Sequence, residues 1–352
     1  MAKLFRGGFI LGSRILSLLG RGPVIPPGLP VPHGEPLTIR SSKTGRRIRV
    51  TVYKNEATLS AAKSGLPSAV HIHFYGGGWM LPYWAPQSKP LIATIFDSVS
   101  TPLTIIDASY ALAPEHSCPA ELEDGREIYD YVCAHPEMWD KDKITLSGCS
   151  SGGAIVLGLA VTLGKEAREA AASKQHADHE NPSPPSHPIK GVVVYYAMTN
   201  WIGIQAQNKA FFSSLPSDAP RVMPPFVLDT IQASHFFSRD GVKGDEETKR
   251  KEELQNLPSV SPALADAKDF PPRVGIWTVQ WDVMSISADE LRERLKQSRG
   301  DGGDQITGRR IMGVGHGWDL EVREGQFGWE ERGEAYKDLA DIVAWASKVH
   351  VE

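Results

Sequence analysis

A short stretch in the middle of the chain has the composition of a catalytic serine turn. Residues 148–152, Gly-Cys-Ser-Ser-Gly, fit the pattern G-x-S-x-G with Ser150 at the centre. The apolar residues 144–146 predict a strand, and the small and aliphatic residues from Gly152 predict a helix. A sharp strand-to-helix turn would expose the Ser150 hydroxyl at a helix N-terminus, where backbone N–H groups favour negative charge. The pentapeptide also occurs by accident, so the rest of the chain must supply a base, an acid and an oxyanion hole.

An aspartate and a histidine follow two later strands and could activate this serine. Asp282 comes after the predicted strand 273–279, and His316 comes after the predicted strand 309–314. In an open parallel sheet, reacting groups lie at the carboxyl ends of the strands. A serine hydroxyl needs a base to take its proton, and an imidazole needs a carboxylate to hold its tautomer and stabilise its cation. The order Ser150, Asp282, His316 therefore predicts a nucleophile, an acid and a base.

Each of these residues also has an ordinary structural interpretation. A single serine is usually in a turn, a single histidine after a strand is usually structural, and a single aspartate there is often the N-cap of the next helix. Their joint occurrence at strand ends argues against coincidence. Among rival acids, Asp289 lies within a helical pattern and is expected to face solvent, and Asp319 is too close to His316 in sequence to reach behind its ring.

A run of glycines could supply hydrogen-bond donors for a developing negative charge. Residues 76–78 are all glycine and directly follow the predicted strand 69–75. Such a run costs backbone entropy, which suggests a use beyond a flexible turn. We expect the oxyanion hole to consist of the N–H groups of Gly77, Gly78 and Ser151, the last being one residue beyond the predicted nucleophile.

The residue types that bind metals do not form a recognisable metal site. Cys118, Cys133 and Cys149 are too few and too scattered for a disulfide framework or a zinc site. His71 and His73 share one face of a strand, and we interpret them as buried core histidines rather than a metal pair. We expect no metal and no cofactor. Cys149, beside the predicted nucleophile, is interpreted as a packing residue.

Strands alternate with helical stretches along most of the 352 residues. The predicted strands are 48–53, 69–75, 103–107, 144–146, 191–197, 273–279 and 309–314. The predicted helices are 90–98, 122–134, 152–173, 288–297 and 333–349. This alternation predicts a single α/β domain over residues 1–352, with a mostly parallel central sheet and helices on both faces.

Three segments do not fit the alternation. Residues 23–37 are rich in proline and predict an extended linker. Residues 174–188 are polar and rich in proline and predict a mobile surface insertion. Residues 200–260 combine aromatic and aliphatic patches with proline-rich turns, which is typical of an inserted helical cap.

The charge of the chain restricts its partners. A net charge of −4 provides no basic surface for nucleic acid. Residues 1–22 are basic and contain no acidic residue, and their apolar runs are too short and interrupted to span a bilayer. A mitochondrial presequence or a membrane-surface helix has the same composition, but we favour a helix that packs over the active site of a cytoplasmic protein. The sequence does not predict the oligomeric state.

Six segments match, in order, the motifs of one known family. They are Tyr75-Gly-Gly-Gly-Trp79 for H-G-G-G-W/F, 110–116 followed by Pro119-Ala120 for Y-R-L-A-P-E-H, 148–153 for the elbow G-D-S-A-G-G, Ser261-Pro262 for S-P, 271–284 for P-P-strand-D-x-L, and His316-Gly317-Trp318 for H-G-F/W. Together they resemble the hormone-sensitive-lipase-type branch of the α/β-hydrolase superfamily. The resemblance extends from about residue 69 to the C-terminus and implies an α/β-hydrolase fold with a helical cap, built from segments at about 1–45 and 200–260.

Three of the differences from the motifs of that family replace a polar or charged residue of the motif. Tyr75 stands in place of the loop histidine, Ala111 in place of the arginine, and Cys149 in place of the acidic residue before the nucleophile. None of these differences removes a triad member. We therefore expect other polar contacts to brace the oxyanion loop, with consequences for the rate and the substrate range rather than for the reaction.

The resemblance implies a serine carboxylic-ester hydrolase that forms an acyl-enzyme with short- to medium-chain esters. Its partner would be a small-molecule ester, and Tyr75, Trp79 and Trp318 would line the substrate pocket. Two alternatives remain open: an acyltransferase or an amide or lactone hydrolase acting on a specialised metabolite, and a ligand-binding member of the fold. His316 argues against the last alternative, because binding-only members of the superfamily usually lose the catalytic histidine.

Overall fold

The computed structural model describes most of the chain. The described residues are 8–14, 23–61, 65–83, 85–178, 186–217, 219, 222–237, 245–300 and 305–348. Within these ranges, no helix has both the length and the apolar character needed to cross a membrane.

One sheet of nine strands runs through the described residues. The strands are β1 Gly34–Arg40, β2 Arg47–Lys54, β3 Ser68–Phe74, β4 Leu103–Ala108, β5 Trp139–Cys149, β6 Ile189–Tyr195, β7 Arg273–Trp281, β8 Ile306–Thr307 and β9 Arg310–Gly315. Their order is β1-β2-β4-β3-β5-β6-β7, and β8 and β9 both pair with β7. Only the β1–β2 and β2–β4 pairings in this sheet are antiparallel. The ends of β3, β5, β7 and β9 therefore lie along one edge, as a parallel sheet requires.

Helices cover both faces of the sheet, so the central strands β3, β4 and β6 are buried along their whole length. The helices are α1 (residues 8–14), α2 Glu56–Ala61, α3 Lys89–Ser98, α4 Ala120–Cys133, α5 Ser151–Asp178, α6 Ile204–Ser214, α7 Pro225–Phe236, α8 Asp245–Gln255, α9 Met284–Arg299, α10 Trp318–Glu321 and α11 Trp329–Lys348. Apolar side chains of α4, α5 and α9 form one core, and those of α3 and α11 form the other. Continuous apolar strands are typical of a sheet covered on both faces.

The edge strand β1 corrects two predictions. Residues 34–40 pair with β2 along their whole length, whereas the sequence predicted a linker over 23–37 and a cap segment over 1–45. Most β1 side chains are exposed or half-buried, so the strand lacks the alternating apolar pattern that signals one. An edge strand tolerates Pro36, because a missing N–H there need not interrupt a ladder on both sides.

The segment predicted as a mobile insertion is partly helical. Helix α5 continues to Asp178, so residues 174–178 of the predicted segment 174–188 extend this helix. Residues 179–185 lie outside the described residues. Three helices, α6, α7 and α8, fall within residues 200–260, the segment predicted as a helical cap.

Candidate active site

The turn after β5 has the strained geometry that its glycines predict. Ser150 has a φ of +52°, which L-residues rarely adopt, and its N–H donates to the Tyr195 carbonyl at 2.9 Å. A Cβ at Gly148 would overlap the backbone of Gly152, and a Cβ at Gly152 would overlap the carbonyl of Phe74. Both positions therefore require glycine, and the turn presents Ser150 between β5 and the N-terminus of α5.

The structure brings Ser150, His316 and Asp282 into one hydrogen-bonded chain. His316 Nε2 lies 3.0 Å from Ser150 Oγ, and His316 Nδ1 lies 2.7 Å from Asp282 Oδ2. The other oxygen of Asp282 accepts the N–H of Met284 at 3.0 Å, so this aspartate also caps the first turn of α9. An Nδ1–H that faces the carboxylate leaves Nε2 free to accept the serine proton.

The two rival acids have other partners. Asp289 was expected to face solvent, but its side chain is only 18% exposed. It accepts the Thr278 hydroxyl at 2.6 Å and pairs with Arg292 and Arg310. The expectation was wrong because cations on α9 and β9 hold this carboxylate against the sheet. Asp319 lies buried behind Tyr196 rather than behind the His316 ring.

Tyr196 packs against His316, although the sequence analysis did not single it out. The two rings meet edge-on with their centroids 4.7 Å apart. The hydroxyls of Tyr196 and Tyr336 donate to the two oxygens of Asp319, at 2.6 and 2.8 Å. Burial raises the pKa of the Asp319 carboxyl, and these two hydroxyl donors act in the opposite direction. Tyr196 directly follows β6, so the rule that reacting groups lie at strand ends could have found it.

The glycine loop after β3 faces the same serine. Gly78 has a φ of +57°, and the N–H groups of Gly78 and Ser151 donate to no residue that the structure describes. Gly77 was predicted to be a third donor, but its N–H donates to the Ser151 hydroxyl oxygen at 3.0 Å. The prediction missed this contact because it treated Ser151 as a backbone donor alone. Among these residues, the amides of Gly78 and Ser151 remain available to an oxyanion.

Two tyrosines support the glycine loop. The Tyr75 hydroxyl donates to the Leu81 carbonyl at 2.7 Å and so closes the loop on itself. The Tyr75 ring stacks on the ring of Tyr110, with centroids 4.7 Å apart. Burial raises the pKa of both phenols, so both keep their protons and can donate. These contacts occupy the place where the family motif has a histidine.

An arginine from a distant turn contacts the segment that has alanine at position 111. The Ala111 N–H donates to Asp124 at 2.7 Å, and Asp124 pairs with Arg46 at 2.6 Å. Arg46 lies between β1 and β2, and it also donates to the Ala120 carbonyl at 3.1 Å. The segment after β4 is therefore held by a cation from another part of the chain.

An apolar cavity of about 250 Å³ opens onto Ser150. Its apolar lining comes from α1, the glycine loop and residues 223–231, and it includes Phe9, Met80, Met223, Leu228 and Ile231. Of the three predicted pocket residues, Trp79 lines the cavity, whereas Tyr75 and Trp318 do not. Tyr75 turns beneath the loop, and the Trp318 indole donates inward to the Gly328 carbonyl at 3.2 Å. Two larger grooves, of about 770 and 520 Å³, adjoin β1 and β2 and contain none of the triad.

One group of side chains in the described ranges has donor atoms close enough to hold a metal ion, namely Cys118, Glu121 and His235. Burial raises the pKa of the Cys118 thiol, raises that of Glu121 to about 7 and lowers that of His235 to about 3. Burial thus shifts the protonation of all three groups toward their neutral forms. His71 and His73 are buried and hydrogen-bonded to hydroxyls of β5, as expected of core histidines.

Comparison with known sequences identifies the family. Residues 71–320 match the sequence model of a family described as alpha/beta hydrolase fold. Carboxylesterase 20 of Arabidopsis thaliana is 33% identical over 106 residues, which are 28% of this chain and 30% of that protein. Tuliposide A-converting enzyme b1 of Tulipa gesneriana is 31% identical over 96 residues, or 24% of this chain and 25% of that protein. These two matches therefore span about a quarter to a third of each curated relative.

Solved structures share the architecture over nearly the whole chain. The thermostable carboxylesterase EstE1, cloned from a metagenomic library, has a TM-score of 0.67 at 18% identity, covering 97% of this chain and 98% of that one. An esterase from the archaeon Pyrobaculum calidifontis has a TM-score of 0.63 at 19% identity, covering 98% and 91%. The family match extends over more than half of the chain, and the folds agree. The chain therefore belongs to the α/β-hydrolase family.

Proposed function

We propose that this protein is a serine carboxylic-ester hydrolase. The observation that carries the proposal is the Ser150–His316–Asp282 hydrogen-bonded chain at the mouth of an apolar cavity. Ser150 Oγ attacks the ester carbonyl while His316 Nε2 takes its proton, and Asp282 stabilises the imidazolium. His316 then gives the proton to the leaving alcohol, and an acyl-enzyme on Ser150 remains. Water then attacks this ester while His316 takes a proton from the water. His316 returns the proton to Ser150 Oγ as the acid is released.

The negative charge of the tetrahedral intermediate is received by backbone amides. The N–H groups of Gly78 and Ser151 are the donors that the described residues leave unused. Ser151 is also the first residue of α5, where the helix dipole adds a favourable positive end. Fixed donors of this kind stabilise the transition state without reorganisation during the reaction.

The lining of the cavity favours an uncharged acyl group of short to medium length. Its described residues include no aspartate, glutamate, lysine or arginine, so a charged acyl group would lose its hydration without gaining a partner. The volume of about 250 Å³ is below the usual range for sites that enclose a whole drug-sized ligand. We infer that the cavity holds one acyl chain. The carboxylesterase names of related proteins support an ester substrate.

The test is Ser150→Ala with chromogenic short-chain esters, together with labelling by a fluorophosphonate. We expect the natural chain to hydrolyse the esters and to be labelled, and the variant to lose labelling and nearly all turnover. Turnover that persists in the variant beyond the small rate supplied by binding and the oxyanion hole would show that Ser150 is not the nucleophile. If the natural chain is labelled but turns over no simple ester, the result would favour an acyltransferase, or a hydrolase that acts on one specialised substrate, over a general ester hydrolase.

A further inference from the structure

A single hydrogen bond joins the glycine loop directly to the turn that carries the nucleophile. The Gly77 N–H donates to Ser151 Oγ at 3.0 Å. Gly77 directly precedes Gly78, which supplies one proposed oxyanion donor, and Ser151 supplies the other through its own backbone. The bond therefore links Gly77, which precedes one donor residue, to Ser151, which is the other. The two donor residues belong to separate elements of the fold.

The Gly77 peptide is fixed on its other side as well. Its carbonyl accepts the N–H groups of Met80 and Leu81, at 3.0 and 2.9 Å. These bonds hold the carbonyl within the turn of the loop, and the Ser151 hydroxyl holds the N–H. The Gly77 carbonyl shares a peptide plane with the Gly78 N–H, so the bonds to this carbonyl orient the Gly78 amide directly. The bond to Ser151 holds the preceding peptide plane and so limits how Gly77 can rotate between the two planes.

Tyr110 holds the Ser151 hydroxyl in place. The Tyr110 hydroxyl lies 3.0 Å from Ser151 Oγ, and both side chains are buried, with Tyr110 4% exposed and Ser151 0%. A serine hydroxyl has one donor and two acceptor positions, so it can accept from Gly77 and bond to Tyr110 at the same time. Stacking on Tyr75 fixes the Tyr110 ring.

We propose that the Ser151 hydroxyl, held by Tyr110, positions the two donors of the oxyanion hole relative to each other. The proposal rests on the proposed function, because it concerns how the catalytic hole is built. The elbow motif of the family has alanine at this position, so the hydroxyl is a departure of this chain. It accompanies Tyr75, the departure in the loop itself. Both residues are positioning residues that act through backbone amides.

The main test is the kinetics of Ser151→Ala, which keeps the backbone donor and removes the hydroxyl. Direct loss of an oxyanion donor costs about 100- to 1000-fold in kcat, and loss of a group that only positions donors should cost less. We expect kcat to fall about tenfold with KM changed less than about twofold. Inhibition by a trifluoromethyl ketone, whose adduct places an oxyanion in the hole, should weaken in parallel with kcat/KM.

Tyr110→Phe keeps the ring and removes the hydroxyl, and it should lower kcat in the same direction but less. Because Tyr110 acts through Ser151, the double variant should lose no more than Ser151→Ala alone. The matched control is Ser147→Ala, which removes another buried serine hydroxyl, bonded to His71 and His73. This control should lower thermal stability and leave kcat per titrated active site unchanged.

Active sites are titrated with the fluorophosphonate, so a partly unfolded preparation does not imitate a loss of kcat. An unchanged or increased kcat in Ser151→Ala would overturn the inference, since it would mean that the hydroxyl is neutral or withholds the Gly77 amide from the oxyanion. Additive losses in the double variant would also overturn the role of Tyr110. If the natural chain shows no turnover that depends on Ser150, the proposed function itself fails. If the natural chain is active and Ser151→Ala has the same kcat, only the role of the Ser151 hydroxyl fails.

Discussion

Replacing Arg14 by alanine should loosen the helix that covers the substrate cavity. The Arg14 guanidinium donates to the Met80 carbonyl at 2.8 Å, to the Ala113 carbonyl at 3.0 Å and to both oxygens of Glu115. Phe9, on the same helix, lines the cavity. One side chain thus ties α1 to the end of the glycine loop and to the segment after β4.

The size of the effect follows from the exposure of these contacts. The side chains of Arg14 and Glu115 are 24% and 42% exposed, so their ion pair contributes only about 0.5 kcal/mol. The two bonds to carbonyls are partly buried and charge-assisted, at about 1 kcal/mol each. The total of about 2.5 kcal/mol changes the docking equilibrium of α1 by roughly 70-fold. Since only the docked form encloses the acyl chain, we expect KM to increase by up to about 70-fold.

The assay is steady-state kinetics on a series of p-nitrophenyl esters of increasing acyl length. The increase in KM should grow with acyl length, whereas kcat should change little because the triad does not contact Arg14. The matched control is Arg126→Ala, which removes an arginine on the surface of α4 that pairs with Asp130 on the same helix and with Glu166 on α5. This control should leave KM unchanged. If Arg14→Ala has the KM of the natural chain for every ester, α1 is not held by this arginine and the reasoning is wrong.

Two predictions concern stability, measured by urea denaturation. Arg46→Ala removes the cation that pairs with Asp124, whose side chain is 2% exposed. We expect the free energy of unfolding to fall by roughly 3 kcal/mol, and a fall of less than about 0.5 kcal/mol would contradict a stabilising role of Arg46. Burial lowers the pKa of His73 to about 3, so His73 stabilises the fold above the unfolded pKa near 6.5, and this contribution is lost as the pH falls toward 3. Between pH 7 and 5 the free energies of unfolding of the natural chain and of His73→Asn should converge by about 2 kcal/mol, and parallel pH profiles would refute the assignment.

The triad could be predicted because its members are placed by their immediate neighbours in the sequence. Ser150, Asp282 and His316 directly follow β5, β7 and β9, respectively. A parallel sheet collects the ends of such strands at one edge. Glycines within two residues of Ser150 determine the turn that exposes it. Local sequence thus specified which side chains meet, and in what chemical order.

The groups that support the triad and the loop depend on contacts that no local pattern encodes. Ser151 reaches Gly77 across 74 positions of the chain, and Arg46 reaches Asp124 across 78. Trp318, in the motif that contains His316, was predicted to line the pocket. However, Trp318 begins the short helix α10, which turns its indole inward. Sequence proximity to a reacting residue therefore predicts contact with the substrate only while the backbone stays extended.

The departures from the family motifs concentrate around the glycine loop, and the construction of the sheet explains why. The ends of β5, β7 and β9 are fixed by hydrogen bonds to neighbouring strands, so the triad has its geometry imposed by the backbone. The loop from Tyr75 to Leu81 follows β3 and belongs to no strand, so side chains must fix its amides. More than one set of side chains can do this. Here Tyr75 and Ser151 stand where the family motifs have other residues, and Tyr110 contacts both of them. Each member depends on the others, because Tyr75 fixes the ring of Tyr110, which fixes the hydroxyl of Ser151. The contacts that hold the loop are therefore expected to change together, whereas the meeting of Ser150, Asp282 and His316 follows from the pairing of the strands that precede them.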